Sequence, residues 1–164
     1  MQRIIDLAQD VLAEYGGDDV FETAENSGAN VWFRPIGTLK GFYVFENGRR
    51  YIIVNSGLSR MMKRVVCAHE FGHDMLHREL SAGGIRDSTL FLDSNKTERE
   101  ANLFAAEILI SDGDILSELS YCRSIDALSY ELDLPPEIVE YKFEILNFKG
   151  HDFRCGQVRS DFLK

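Results

Sequence analysis

The stretch His69-Glu70-Phe71-Gly72-His73 constrains this chain more than any other. It lies in the proline-free run Arg60–His77. There Met62, Val65, Val66, His69, His73 and Leu76 recur at the three- and four-residue spacing of one helix face. The run reads as a helix. Residues four apart stand about one turn from each other, so imidazoles at 69 and 73 can share one tetrahedral metal ion. Without such a partner, bare imidazoles on an apolar stripe would be costly to bury. Glu70 projects beside the pair, where it can take a proton from a water held by the ion. That is the division of labour in a zinc-dependent peptidase.

A catalytic zinc site needs a third protein ligand and an open position. The candidate segment is Asn95–Ile110, a second helical pattern rich in alanine and leucine. Glu100, Leu103, Phe104, Glu107 and Ile108 share a stripe at helical spacing, so Glu100 is expected to face the core and Glu98 to point largely away. Two readings of Glu100 stand side by side. It is a metal ligand, or it closes a capping box, Thr97-x-x-Glu100, by folding back on the Thr97 amide. Glu107, about two turns further on, is a weaker ligand candidate.

Three runs together resemble the ImmA/IrrE family of metallopeptidases. They are Tyr51–Asn55, Ala68–His73 with Leu76-His77, and Glu98-x-Glu100-Ala101-Asn102-x-Phe104-Ala105-Ala106-Glu107-Ile108-Leu109. The resemblance extends from about Ile4 to Phe148. It implies that two histidines and a glutamate of the E-x-E-A-N helix bind zinc, and that the glutamate beside the first histidine is the catalytic base. By position these are His69, His73 and Glu100 as ligands and Glu70 as base. It implies a substrate class as well, because relatives on phages and integrative elements cleave a helix-turn-helix repressor, and others cleave a similar regulator under stress. One departure is visible: Ile110-Ser111-Asp112-Gly113 stands where the family often has a proline stop.

Length and charge exclude several alternatives. The 164 residues, 45% of them apolar, suit one globular domain that needs no disulfide help. No apolar run reaches the roughly 18 residues of a membrane span. Met1–Asp6 has an early acid and no signal-peptide core. Cys67, Cys122 and Cys155 are odd in number and lack metal-type spacing, so they read as free thiols in a reducing cytoplasm. The formal net charge of −9 opposes a general phosphate field. Arg60, Lys63 and Arg64 form a local basic cluster, read as a solvated face rather than a docking patch.

In chain order, Arg3–Tyr15 reads as a helix ended by Gly16-Gly17, and Asp18–Asn26 as a short second helix. Asn30–Arg34, Gly41–Phe45 and Tyr51–Val54 are strand candidates, the last two joined across Asn47-Gly48 as a hairpin. Asn55, Ser56 and Ser59 are candidate caps for the metal helix. An exposed edge of this sheet could accept an extended peptide. Thr89–Leu92 reads as a short strand or flap, or as a loop pinned by Leu90 and Phe91. His77 either supports the site or bonds a neighbour, and Tyr43, Tyr51 and His77 are candidate oxyanion donors. Past Asp112 the chain is helical and acidic. The run Ala127–Val139 has helix-turn-helix spacing, but Glu137, Glu140 and Glu144 have the wrong sign for phosphates, so a helical pair packed under the core is expected.

The expected architecture is α+β: a helical zincin-like metallopeptidase core with a small three-stranded antiparallel sheet. Residues 1–148 would form one domain, with 112–148 as its acidic helical part and 149–164 as a loosely held tail. The expected activity is a cytoplasmic zinc metalloendopeptidase that cleaves a helix-turn-helix repressor, with no nucleic-acid or membrane partner. The competing expectation is a non-enzymatic, metal-containing regulator that sequesters such a repressor.

Overall fold

The computed structural model describes residues 1–78, 94–119 and 124–153. Helix α1 (Gln2–Tyr15) and the short α2 (Val20–Asn26) come first. Three strands follow, β1 (Ala29–Arg34), β2 (Gly41–Glu46) and β3 (Arg49–Asn55). The metal-motif helix α3 (Arg60–His77) and α4 (Ser94–Leu109) form the centre, and α5 (Asp112–Glu118), α6 (Ile125–Leu132) and α7 (Pro136–Phe148) close the described chain. Ser59 caps α3 by accepting the Met62 amide, Asp19 caps α2, and Ser124 caps α6.

The sheet is mixed, which corrects the antiparallel expectation. Asn47 and Gly48 take positive φ values of 51° and 75° and turn β2 back into β3 as an antiparallel hairpin. Strand β1, however, pairs parallel with β3, from Ala29 opposite Arg50 to Arg34 opposite Asn55, and the order is β1-β3-β2. The reason lies in β3. Its run Ile52-Ile53-Val54 is buried throughout, as suits a central strand flanked by β1 and β2 with α3 on one face. Residues 35–40 carry the chain past that central position, and Asn55 pins them by donating to the carbonyls of Gly37 and Leu39.

One sheet face, with Tyr43, Ile52 and Val54, packs onto Val65 and Val66 of α3. The other side of α3 packs on α4, with Phe71 and Phe104 edge to face at 5.6 Å. Helix α1 covers α4 with Ile4, Ile5, Ala8 and Val11, and α7 lies beneath α4. Burial of a side chain such as Phe71 contributes about 1.5–3 kcal/mol.

At its C-terminal end α4 is fastened by charge. Glu107 meets Lys142 at 2.6 Å and Lys149 at 2.8 Å, and Asp112 pairs with the same two lysines. Gln9 of α1 donates to Glu107 as well. The segment after Asp112 is thereby locked to the central helices, and Lys149 belongs to that lock. Asn147 exchanges two 2.7 Å hydrogen bonds with the Phe153 backbone. Cys67 is buried and free. The Thr89–Leu92 reading, Cys122, Cys155 and the tail beyond residue 153 lie outside the described residues. No described helix is long and apolar enough to cross a membrane.

Candidate metal centre

The two histidines of α3 project from its buried side. Their Nε2 atoms stand 3.2 Å apart, and their Nδ1 atoms are held from behind. His69 Nδ1 bonds Asn102 Oδ1 at 2.8 Å, and His73 Nδ1 meets His77 Nδ1 at 3.2 Å. Each ring is oriented by a partner on the side away from the shared point, as metal-binding imidazoles require.

The carboxylate of Glu98 spans the pair. Its Oε2 lies 3.3 Å from His69 Nε2 and its Oε1 lies 3.3 Å from His73 Nε2. The expected positions of the two α4 glutamates are therefore exchanged. Glu98, expected to point away, lies on the imidazoles. Glu100, expected to face them, lies on His77, with Oε2 3.0 Å from His77 Nε2 and 3.7 Å from Arg3. The capping box is not the start of the helix either, since α4 begins at Ser94, ahead of Thr97.

The crossing of the two helices explains the exchange. A β-carbon on Gly72 would stand 3.0 Å from the Cα of Ala101, so α3 and α4 touch backbone to backbone there. At about 100° per residue, Glu98 and Asn102 fall on one flank of Ala101 and Glu100 on the other. Glu107 is committed to Lys142 and Lys149, away from the histidines.

The donor set fits a zinc ion. Bonds of about 2.0–2.1 Å at tetrahedral angles separate donor atoms by about 3.3 Å. The two Nε2 atoms are 3.2 Å apart, and each meets a different Glu98 oxygen at 3.3 Å; with one ligand atom taken per residue, all three lie within 4.8 Å of one another. His69, His73 and Glu98 form the metal-compatible cluster among the described residues. The electrostatics agree. Burial disfavours charge on both imidazoles and pushes His73 down to about 4; at His69 the neighbouring Glu98 and Glu70 outweigh burial and its pKa rises. Glu98 is held far below the ordinary carboxylate range, because His69 and His73 outweigh its desolvation. Glu98 is therefore ionised beside the two buried imidazoles.

Glu70 follows His69 and is partly exposed. The start of β2 lies against it. A β-carbon on Gly41 would be 3.5 Å from Glu70 Cγ and 2.9 Å from the Ile53 carbonyl, so only glycine lets this edge strand come so close. Of the candidate oxyanion donors, Tyr43 is buried next to Asp74, which with burial raises its hydroxyl pKa. Tyr51 pairs with the Trp32 ring at 5.0 Å, on the sheet face opposite Ile52 and Val54. His77 is engaged between His73 and Glu100.

Two supports escaped the sequence reading. Asn102 holds His69, and its one-turn spacing from Glu98 was the available signal, matching that of His69 and His73. Asp74, wholly buried just after His73, pairs with Arg50 at 2.8 Å, and Arg50 also donates to the Ser27 carbonyl. Neither side chain carried a pattern that pointed to the other.

The family model described as the IrrE N-terminal-like domain of the M78 peptidases matches residues 24–144. The chain belongs to the ImmA/IrrE family of metallopeptidases. Over 112 residues it is 32% identical to uncharacterized immunity region protein 2 of Bacillus phage phi105, covering 67% of this chain and 70% of that protein. Over 136 residues it is 23% identical to the metallopeptidase ImmA of Bacillus subtilis strain 168, covering 82% of this chain and 80% of that protein. The matched span of this ImmA/IrrE member takes in the sheet, α3 and α4, and so every residue of the histidine–glutamate cluster.

Proposed function

We propose that this chain is a zinc-dependent endopeptidase, with His69, His73 and Glu98 as metal ligands and Glu70 as general base. The observation that carries the proposal is the Glu98 carboxylate lying 3.3 Å from both imidazole Nε2 atoms. When bound, zinc would supply Lewis acidity toward the scissile carbonyl and toward water. The chain's own residues do the rest. His69 and His73 present Nε2 lone pairs, since Asn102 and His77 occupy their Nδ1 sides. A Glu70 carboxylate oxygen takes the proton of the attacking water and delivers it to the leaving amine. Glu98 takes the ligand role that the family resemblance had assigned to Glu100.

The proposed substrate is a helix-turn-helix transcriptional repressor, cut in the cytoplasm to relieve repression. The family resemblance supports this class, and a phage immunity-region protein stands among the relatives. The acidic chain is itself unsuited to hold DNA.

Two measurements test the reading. Elemental analysis should find about one zinc per native chain and much less in Glu98→Ala; full retention in that variant would reject the ligand set. Incubation with a helix-turn-helix repressor from the same genome should give a shortened repressor by mass spectrometry. Glu70→Gln should keep its zinc and lose the cleavage, and equal cleavage by that variant would reject the mechanism.

A further inference from the structure

The two histidines of the metal cluster are supported unequally. His69 Nδ1 meets a single neutral amide oxygen, that of Asn102. His73 Nδ1 instead meets a second imidazole, and that imidazole leads to a carboxylate. His73 Nδ1 and His77 Nδ1 are 3.2 Å apart, and His77 Nε2 is 3.0 Å from Glu100 Oε2. The His73 and His77 ring centres are 5.3 Å apart, and His77 is as buried as the ligands. Arg3 of α1 approaches the far end of the chain at 3.7 Å from Glu100.

Only one proton arrangement satisfies this chain when His73 donates its Nε2 lone pair to a cation. His73 then carries its hydrogen on Nδ1 and must donate it. His77 Nδ1 must accept, which leaves the His77 hydrogen on Nε2. That hydrogen points at Glu100, a carboxylate that accepts it with a charge-assisted bond. Every donor meets an acceptor, and no member is left unpaired in a buried site. A cationic His77 would set N–H against N–H at His73.

We propose that His77 and Glu100 are positioning residues that fix the tautomer and ring orientation of His73. This rests on the zinc reading of the cluster. The negative end at Glu100 polarises His77, and His77 in turn makes His73 a more basic donor. Glu100 acts two imidazoles away from the metal position, which gives a half-buried glutamate beside the motif a role without ligation. Asn102 offers His69 no comparable charge, so the two ligands differ in donor strength.

The test uses native protein with 15N-labelled histidine, loaded with zinc. Long-range proton–nitrogen spectra should show His73 protonated on Nδ1 and His77 neutral and protonated on Nε2. A His77 hydrogen on Nδ1, or a fully protonated His77, overturns the relay. In parallel, zinc affinity is measured by competition with a chromogenic chelator. His77→Phe, which keeps the ring and removes both nitrogens, should weaken zinc about 10–100-fold. Glu100→Gln, which keeps a carbonyl acceptor, should lose less than Glu100→Ala. Unchanged affinity in His77→Phe overturns the proposal, and so does a loss in Glu100→Ala as large as in Glu98→Ala. A native chain that binds no zinc removes the metal reading and the relay together. Zinc bound with the wrong tautomer removes the relay alone.

Discussion

Gly72 of α3 lies against Ala101 of α4 so closely that a β-carbon at 72 would be 3.0 Å from the Ala101 Cα and 3.1 Å from its carbonyl oxygen. Both are backbone atoms and cannot rotate away. Gly72→Ala should push the helices apart and lower stability by about 1–3 kcal/mol, as overpacking does. It should also weaken zinc binding, because Glu98 rides on α4 while His69 and His73 ride on α3. Urea midpoint and chelator competition on the same variant check both. A stable variant with native zinc affinity would show that the close crossing does not set the site.

Asn102 orients His69, and its own amide donates to the Tyr141 hydroxyl at 3.4 Å. Asn102→Ala removes the Nδ1 acceptor and leaves the imidazole free to turn. Zinc affinity should fall about 10–100-fold. Asn102→Asp restores an acceptor and should recover much of the loss. Equal affinity in native protein and Asn102→Ala would reject the support.

Much of this was legible in the sequence. Arg60–His77 forms the helix its apolar spacing indicates, capped by one of its candidate serines, and Asn47-Gly48 makes the indicated hairpin. The third cluster member was misread for a physical reason. From Ala101 to Glu107 every residue of α4 is buried, because α1, α3 and α7 all pack against it. A helix enclosed on three sides has no clear polar face, so the apolar stripe that ranked Glu100 above Glu98 did not tell which flank meets the histidines of α3. The sign of the β1–β3 pairing was hidden likewise, since strand alternation says nothing about which neighbour a strand takes. The unbroken apolar run of β3 was the one hint that it is central.

The charge lock of Lys142 and Lys149 with Glu107 and Asp112 sets a pH dependence. Burial alone would raise Asp112, but the two lysines outweigh it and hold the carboxyl below its ordinary value of 3.8. A carboxyl lowered in the folded state adds stability above its unfolded value and loses that contribution as pH falls through the folded one. The urea-midpoint gap between native protein and Asp112→Asn should be constant above about pH 5, narrow below about pH 4 and vanish only beneath the lowered folded value. A gap that does not change with pH would contradict the assignment. Lys142 is 1% exposed, and Lys142→Met strips a buried partner from Glu107. The expected cost is about 3 kcal/mol.

Gly41 is where the edge strand meets the proposed base. A β-carbon there would stand 2.4 Å from Val66 Cγ1 and 2.9 Å from the Ile53 carbonyl oxygen, so the start of β2 must shift away from β3 and α3 and alter the contact it makes with Glu70 Cγ, 3.5 Å away. Gly41→Ala should leave zinc binding close to native, because the atoms nearest a β-carbon at 41 belong to Val66, Ile53 and Glu70 rather than to His69, His73 or Glu98. Cleavage should fall about 10–100-fold, the scale on which a misplacement of about 1 Å acts. Zinc titration and a cleavage assay on one preparation separate the two effects. Parallel loss of zinc would mean that the strand supports the metal ligands rather than the base. Unchanged cleavage would mean that Glu70 does its work independently of the strand beside it.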